Sequence, residues 1–240
     1  MGSTSKLVSL SVISSMATRA LLAELAQACA QETGVQASIT AVGGVDAARR
    51  VAAGEAFDVV VLASDAIDRL IAAGHLPADS RVDLARSPVA VAVQAGAPVP
   101  DITNAAALCS ALLAAKSLGV STGPSGTFLL QLFEAWGIAD VLKPRLVQAP
   151  PGVPVGTLVA RGEVELGFQQ LSELLPLPGI TVVGTLPEGA ACITTFSAAP
   201  GLHTAHAAHA AHAAQVQVLL ACMNTPAAAA VKRRHGMAPA

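Results

Sequence analysis

Aromatic and charged residues are scarce in this sequence. Phe, Trp and Tyr account for 2% of its 240 residues, Tyr is absent, and charged residues make up 12%, with a formal net charge of −2. Proteins that bind nucleic acid use stripes of Lys and Arg together with aromatic rings that stack on bases. Because the sequence supplies neither, we expect no nucleic-acid partner.

Long uninterrupted apolar runs are also missing, although apolar residues make up 53% of the chain. Gly, Pro or a charged residue breaks each apolar stretch before it reaches the roughly 20 residues of a membrane-spanning helix. A chain of this length and composition can bury a sizeable core. We therefore expect a soluble protein without membrane insertion.

The first residues lack the basic, apolar and small-residue segments of a secretory leader. A polar stretch, 1–5, is followed by the alternating apolar residues of a predicted strand over 6–13. For the sequence as it stands we expect a cytoplasmic location. If a leader has been removed, the expected location is periplasmic.

The four cysteines show no clustered pattern. Cys29, Cys109, Cys192 and Cys222 are widely separated and do not form the CxxC pairs of zinc and redox sites. We expect buried thiols, a prediction that fits a reducing compartment.

Four histidines recur every third residue near the C-terminus: His203, His206, His209 and His212. On a helix this spacing spreads them across half of the circumference. One adjacent pair can hold a metal, but four cannot share a single site. We expect an exposed low-complexity Ala/His face, no metal and no cofactor.

Short apolar runs alternate with longer segments of helical period along the chain. The run 57–63 is typical of a strand covered on both faces. Leu21, Leu25 and Cys29 recur every fourth residue on one helix face, and Gly34 ends that segment. This alternation predicts an α/β fold with parallel sheets covered by helices.

The order of these segments resembles the opening lobe of the molybdate-binding type of periplasmic binding proteins. The shared features are a strand ending in Ser-Ser, an amphipathic helix, ETGV, a strand with Gly-Gly, and AGEAFDVVVLAS followed by AAGHL. The later segment ARGEVELGFQQLSELLPLPGITVVGTLP is similar to the same family, so the resemblance spans about residues 6–198 and the final His-Gly-Met. It implies a two-lobed type II fold with the ligand cleft between the lobes.

The same resemblance implies two crossovers between the lobes. A strand at 192–196 would return the chain to the first lobe, so we expect residues 1–85 with 195–240 in lobe one and 86–194 in lobe two. The implied ligand is a small anion, and the implied partner of an exported protein is an ABC transporter permease. Some relatives of this family are cofactor-independent isomerases that act on aconitate.

One departure from the family pattern concerns the ligand. Molybdate binders commonly contribute a Tyr hydroxyl from the segment after the second-lobe strand, whereas this chain has no Tyr. Gln169 or Gln170 stands near that place. The resemblance therefore implies a class of ligand, oxyanion or carboxylate, rather than molybdate itself.

Candidate ligand-binding residues lie where predicted strands lead into helices. In an open parallel sheet the ligand lies beyond the carboxyl ends of the strands, where helix N-termini offer unpaired N–H groups and a partial positive charge. The candidates are Ser14, Ser15, Gly43, Gly44, Ser64, Arg86, Ser121, Ser125, Gly126, Thr127, Gly152, Val153, Gln169 and Gln170.

Each candidate also has an ordinary structural interpretation. The pair Ser14-Ser15 can be a helix cap, and Gly43-Gly44 can be a turn. The segment 122–127 lacks the Lys and the spacing of a P-loop, which disfavours nucleotide binding, and it can be a cap as well. Arg86 can pair bidentately with a carboxylate or lie solvated at the surface. Gln170 can simply begin a short helix.

Two functions remain open. A binding protein needs only donors and a closing hinge, whereas an isomerase that moves a proton needs a positioned acid or base. The candidate loops contain no His, Cys, Lys or Tyr, and the nearest carboxylates are Asp46, Asp65 and Glu173. This favours anion binding, and the alternative is a cofactor-independent isomerase of a small di- or tricarboxylate.

Overall fold

The chain forms two compact units in the computed structural model, which describes residues 9–150, 152–205 and 210–240. Unit 1 comprises Met1–Ala85 and Thr195–Ala240, and unit 2 comprises Arg86–Thr194. The strands are β1 (Ser9–Ser15), β2 (Gln36–Val42), β3 (Val59–Ala63), β4 (Val82–Gln94), β5 (Leu118–Val120), β6 (Leu146–Gln148), β7 (Leu166–Gln170), β8 (Ile180–Thr185), β9 (Ile193–Pro200) and β10 (Ala238–Pro239). The α-helices are α1 (Arg19–Thr33), α2 (Gly44–Ala52), α3 (Ser64–Ala72), α4 (Ala105–Ala114), α5 (Pro124–Ala135), α6 (Ala139–Leu142), α7 (Val155–Ala160), α8 (Leu171–Leu174), α9 (Ala210–Cys222) and α10 (Pro226–Arg234).

In unit 1, three parallel strands bring their carboxyl ends to one edge of the sheet. β1 pairs in parallel with β2 on one side and β3 on the other, and β3 pairs antiparallel with β9. All five residues of β3 are buried, as expected for a strand covered on both faces. Because the parallel strands end at the same edge, the segments that follow them, including Ser15, Gly43 and Ser64, lie along that edge.

Unit 2 repeats this arrangement with shorter strands. β5 pairs in parallel with β6 and β7, while β4 pairs antiparallel with β7 and β8. The carboxyl ends of β5, β6 and β7 lead into the segments that hold Ser121, Gly152 and Gln170. Asn104 caps α4, since its side chain accepts a hydrogen bond from the Ala107 N–H.

The expectation of parallel sheets is only partly right. The pairs β3/β9, β4/β7 and β4/β8 are antiparallel, because apolar periodicity identifies a strand without fixing its direction. The sequence also predicts a strand over 89–93, whereas β4 runs from Val82 to Gln94, and it gives no prediction of β8. Every residue of β8 is half-buried or exposed.

The prediction of four buried thiols is wrong, because two of the cysteines form a disulfide and the two free thiols are only half-buried. Cys29 on α1 and Cys222 on α9 form a disulfide across 193 residues of sequence, with their Cα atoms 5.9 Å apart. The buried face of α1, with Leu21, Leu25 and Cys29, packs in the same apolar cluster as α9. Such packing brings distant cysteines together in a way that their sequence spacing does not reveal. Cys109 and Cys192 are free and half-buried.

Two helices, α9 and α10, stand near the C-terminus, and the second begins at Pro226. Thr225 caps α10 by accepting a hydrogen bond from Ala228 N–H, and Pro226 occupies the first turn of that helix. Within the described ranges, no single helix is long and apolar enough to cross a membrane. The segments His212–Cys222 and Pro226–Arg234, bent by 67°, pass that test by length and composition only when they are taken together.

The expected exposed histidine face is wrong for His203 and His212. Both side chains are half-buried, and His203 Nε2 and His212 Nδ1 lie 3.1 and 3.0 Å from Asp58 Oδ1. Both rings therefore contact the buried Asp58 carboxylate of the same unit. His206 and His209 lie outside the described residues.

Candidate functional site

The strand end at Ser14 and Ser15 carries two buried hydroxyl groups. Their Oγ atoms have no hydrogen-bond partner among the described residues. Ser15 precedes a short 3₁₀ turn, Met16–Thr18, but its side chain makes no capping hydrogen bond. The alternative of a helix cap therefore does not account for these hydroxyls, and both keep their full hydrogen-bonding capacity.

The Gly-Gly segment lies against this strand end. A Cβ atom added to Gly44 would stand 3.6 Å from the Cβ of Ser15. Gly43 precedes α2 and accepts the N–H of Ala47. Ser64 is the first residue of α3 rather than its cap, and it is half-buried. Unit 1 thus presents small residues and hydroxyls at this edge.

In the turn after β5, most of the hydroxyl groups form hydrogen bonds within the turn itself. Ser121 Oγ lies 2.9 Å from Ser125 Oγ and accepts the Gly123 N–H at 3.2 Å. Two hydroxyls carry two protons, and their mutual hydrogen bond uses one, so one donor remains. Thr127 is exposed and donates to the Gly123 carbonyl.

Gly126 is required in this turn. A Cβ atom at Gly126 would lie 1.9 Å from the Ser121 carbonyl oxygen, so only glycine allows the turn and α5 to approach so closely.

The segment between β6 and α7 is folded back on itself. Val153 N–H donates to the Pro150 carbonyl at 3.0 Å, and Gly152 has φ of 79°, the left-handed region that favours glycine. Pro151 lies outside the described residues. The N–H of Val153 is therefore engaged within the turn.

The two glutamines that end β7 have different partners. Both amide atoms of Gln169 form a hydrogen bond: its Oε1 accepts the Gly156 N–H at 3.3 Å, and its Nε2 donates to Glu173 Oε1 at 2.8 Å. Gln170 Nε2 donates to Thr194 Oγ1 at 2.7 Å. The Oε1 of Gln170 is buried and has no partner among the described residues.

Ser87 belongs with these groups although it is absent from the predicted candidates. It is fully buried in β4, and its Oγ has no partner within the described part of the chain. In the β4/β7 ladder Val89 stands opposite Gln170, so Ser87, two residues before Val89, shares the face of Gln170. The available signal is a polar residue in the apolar alternation Ser87, Val89, Val91. The preceding Arg86 is exposed, and its role stays a prediction.

Glu173 has the most perturbed carboxyl group of unit 2. Burial raises the pKa of Glu173 to about 7, although the hydrogen bond from Gln169 acts in the opposite direction.

The described residues contain no group of three or more His, Cys, Asp or Glu side chains that could hold a metal ion.

A protein-family model matches most of the sequence. The model described as "Bacterial extracellular solute-binding protein" matches residues 10–238. The chain belongs to this family. Among its relatives, the aconitate isomerase of a Pseudomonas species is 41% identical over 198 residues, which cover 79% of this solute-binding protein and 74% of the relative.

Solved structures of similar fold agree with the family assignment. The periplasmic molybdate-binding protein of Azotobacter vinelandii superposes with a TM-score of 0.76 at 21% identity, covering 96% of this chain and 99% of that one. The sulfate-binding protein of Mycobacterium tuberculosis gives a TM-score of 0.74 at 16% identity, covering 97% and 87%. These matches confirm the predicted resemblance and the two-lobed α/β fold class of this solute-binding protein.

Proposed function

We propose that this protein binds a small anion, with carboxylates as the favoured class, and that units 1 and 2 are its two lobes. The observation that carries the proposal is a set of buried hydroxyl groups that have no hydrogen-bond partner among the described residues and lie at or beside the strand ends: Ser14 Oγ, Ser15 Oγ and Ser87 Oγ. Each such atom costs about 1–3 kcal/mol when it is left unpaired. A bound anion that accepts a hydrogen bond from such a hydroxyl offsets that cost.

The ligand class follows from the donors and from the relatives. Serine hydroxyls donate to oxyanions and carboxylates alike. The relative that is 41% identical is an aconitate isomerase, which favours a di- or tricarboxylate over a tetrahedral oxyanion. Within this proposal, Arg86 supplies a bidentate contact to a carboxylate.

The proposed location is the periplasm, with an ABC transporter permease as partner. Disulfides persist in oxidising compartments and are rare in the cytosol. The Cys29–Cys222 bond therefore supports an exported protein, as does the extracellular family.

A thermal-shift screen tests the binding proposal. The melting temperature is measured with molybdate, sulfate, succinate, citrate and trans-aconitate at equal ionic strength. Because a ligand that binds the folded state stabilises it by mass action, we expect carboxylates to raise the melting temperature. An increase with molybdate alone contradicts the carboxylate class, and no increase with any anion contradicts the function.

A second candidate function is isomerisation of the bound carboxylate. The observation that favours it is the 41% sequence identity to an aconitate isomerase over 198 residues. The test is NMR in D₂O with each carboxylate that binds. Exchange of a carbon-bound proton, with interconversion of cis and trans isomers, supports an isomerase, whereas binding without exchange leaves only the binding function.

A further inference from the structure

Three carboxyl groups stand near the strand ends that hold the candidate residues, and two of them are already paired. Asp46 forms an ion pair with Arg49 on α2, and Asp65 Oδ2 lies 2.8 Å from Arg69 Nη1 on α3. Both pairs lie exposed on helix surfaces. Each of these two carboxylates is therefore engaged by an arginine of its own helix.

Glu173 is different because its observed partner is a neutral amide. It lies on α8, which begins directly after Gln170, and its Oε1 accepts the amide N–H of Gln169. Gln169 in turn accepts the Gly156 N–H. Hydrogen bonds thus connect Glu173 to two predicted ligand segments of unit 2, the end of β7 and the chain just after Gly152. The side chain is half-buried, and its Oε2 makes no hydrogen bond to a described residue.

We propose that Glu173 carries the proton in an allylic isomerisation of an unsaturated di- or tricarboxylate, a role that rests on the isomerase function proposed above. As a carboxylate, Glu173 removes a proton from the CH₂ carbon next to the C=C bond. The electron pair of the broken C–H bond forms the new C=C bond. The former π electrons bond to the proton that Glu173 delivers at the far allylic carbon, and because the acid form of Glu173 exchanges with solvent between these two steps, that proton is replaced by deuterium in D₂O. Atoms and electrons balance without an oxidant or a reductant.

The surroundings of Glu173 suit both halves of this step. Burial brings the pKa of Glu173 to about 7. The carboxylate and the acid are therefore both populated at neutral pH, as a group that takes and returns a proton requires. The hydrogen bond from Gln169 fixes one oxygen and leaves Oε2 to transfer the proton.

The experiment compares wild type with Glu173→Gln, using cis- and trans-aconitate in D₂O. Glutamine keeps an oxygen that accepts from Gln169 but cannot carry the proton. We expect kcat and deuterium incorporation to fall by about 100-fold or more, while Kd measured by calorimetry changes by less than about threefold. Glu134→Gln, which removes an exposed charge from α5, is the matched control and keeps the wild-type kcat.

Two further readouts separate proton transfer from a structural role. Wild-type kcat/KM should rise as the pH passes about 7, and the residual activity of Glu173→Gln should lack that inflection. Glu173→Asp keeps a carboxyl group and should recover part of the rate. It also serves as the second variant if Glu173→Gln does not fold.

The outcomes distinguish this role from the functions on which it rests. Exchange retained in Glu173→Gln overturns the role of Glu173 and leaves the isomerase function standing. A wild type that binds aconitate without exchange overturns both of these but not anion binding. A wild type that binds no carboxylate contradicts the binding proposal itself.

Discussion

Each unit contains a carboxyl group that protein covers at least in part, and the pKa values of the two groups are shifted in opposite directions. Asp58 in unit 1 accepts hydrogen bonds from the N–H and Oγ of Ser11 at 2.7 and 2.8 Å, and it contacts two histidines. Glu173 in unit 2 has one amide partner. Burial alone would raise the pKa of Asp58, but the hydrogen bonds hold it below its ordinary value, whereas the pKa of Glu173 rises to about 7.

Burial raises the pKa of a carboxyl group and donated hydrogen bonds lower it; several donors outweigh burial at Asp58, whereas a single donor does not outweigh it at Glu173. In unit 1 the Asp58 carboxylate accepts hydrogen bonds from Ser11 and contacts the two histidines that follow β9. In unit 2 the charge of Glu173 is poorly supported, and its proton can be exchanged. The contrast supports a structural role for Asp58 and agrees with the proton-carrying role that we propose for Glu173.

The largest expected effect concerns the covalent bond that further stabilises unit 1. Replacing Cys29 and Cys222 by Ser removes a crosslink across 193 residues and should lower the free energy of unfolding by about 2–5 kcal/mol. Urea denaturation measures this loss. Cys109→Ser, at a free cysteine, is the control. Equal losses in both variants would refute a stabilising disulfide.

The next effect is that of Asp58→Asn in unit 1. The neutral amide cannot supply the charge that Ser11 and the histidines contact, so we expect a loss of about 2–3 kcal/mol at pH 7. Because the pKa of Asp58 is depressed in the folded state, its stabilisation is present above the ordinary pKa and is lost as the pH falls through the folded value. Stability curves of wild type and variant should therefore converge in acid. A constant difference down to pH 2 contradicts this account.

In unit 2, Glu173→Gln should raise the free energy of unfolding, whereas Asp58→Asn lowers it. Since the folded pKa of about 7 exceeds the ordinary 4.5, the folded state binds the proton more tightly, and wild-type stability falls as the pH rises between these values. The variant should be more stable than wild type by about 1–3 kcal/mol at pH 8 and nearly equal at pH 4. Denaturant unfolding at both pH values measures the difference, and a variant less stable at pH 8 contradicts the account.

The smallest expected effect on stability is that of Ser87→Ala. Removing a buried hydroxyl that has no observed partner should leave the free energy of unfolding unchanged or raise it by up to about 1 kcal/mol. Ser197→Ala is the matched control, because Ser197 Oγ donates to Asp83 Oδ1 at 2.7 Å, and it should lower stability. A loss in Ser87→Ala equal to that in Ser197→Ala would mean that Ser87 is paired.

Sequence reasoning located the strand ends better than it located their partners. Ser15 and Gln170 follow from apolar runs and turn signals, which are local. The contacts of His203 and His212 with Asp58, 145 and 154 residues away, depend on how helices pack, as does the Cys29–Cys222 bond. Local patterns do not contain that information.

In the candidate site, too, the sequence predicts the positions of polar groups but not their hydrogen-bond partners. The hydroxyls of Ser121 and Ser125 are predicted as ligand donors, yet the structure pairs them with each other. Ser87, hidden beside Arg86 in an apolar strand, is unpaired among the described residues. Hydrogen-bond satisfaction is a property of the packed chain, so the sequence could indicate which polar groups stand near the strand ends but not which remain available.

Calorimetric titration of wild type and Ser15→Ala with a tricarboxylate tests the central claim most directly. If the unpaired hydroxyl of Ser15 contacts the anion, its loss removes a hydrogen bond to a charged group, so Kd should rise about 10- to 150-fold. The free energy of unfolding of the unliganded variant should not fall. An unchanged Kd, or a loss of stability without a loss of affinity, would contradict the assignment of these unpaired strand-end groups to an anion site.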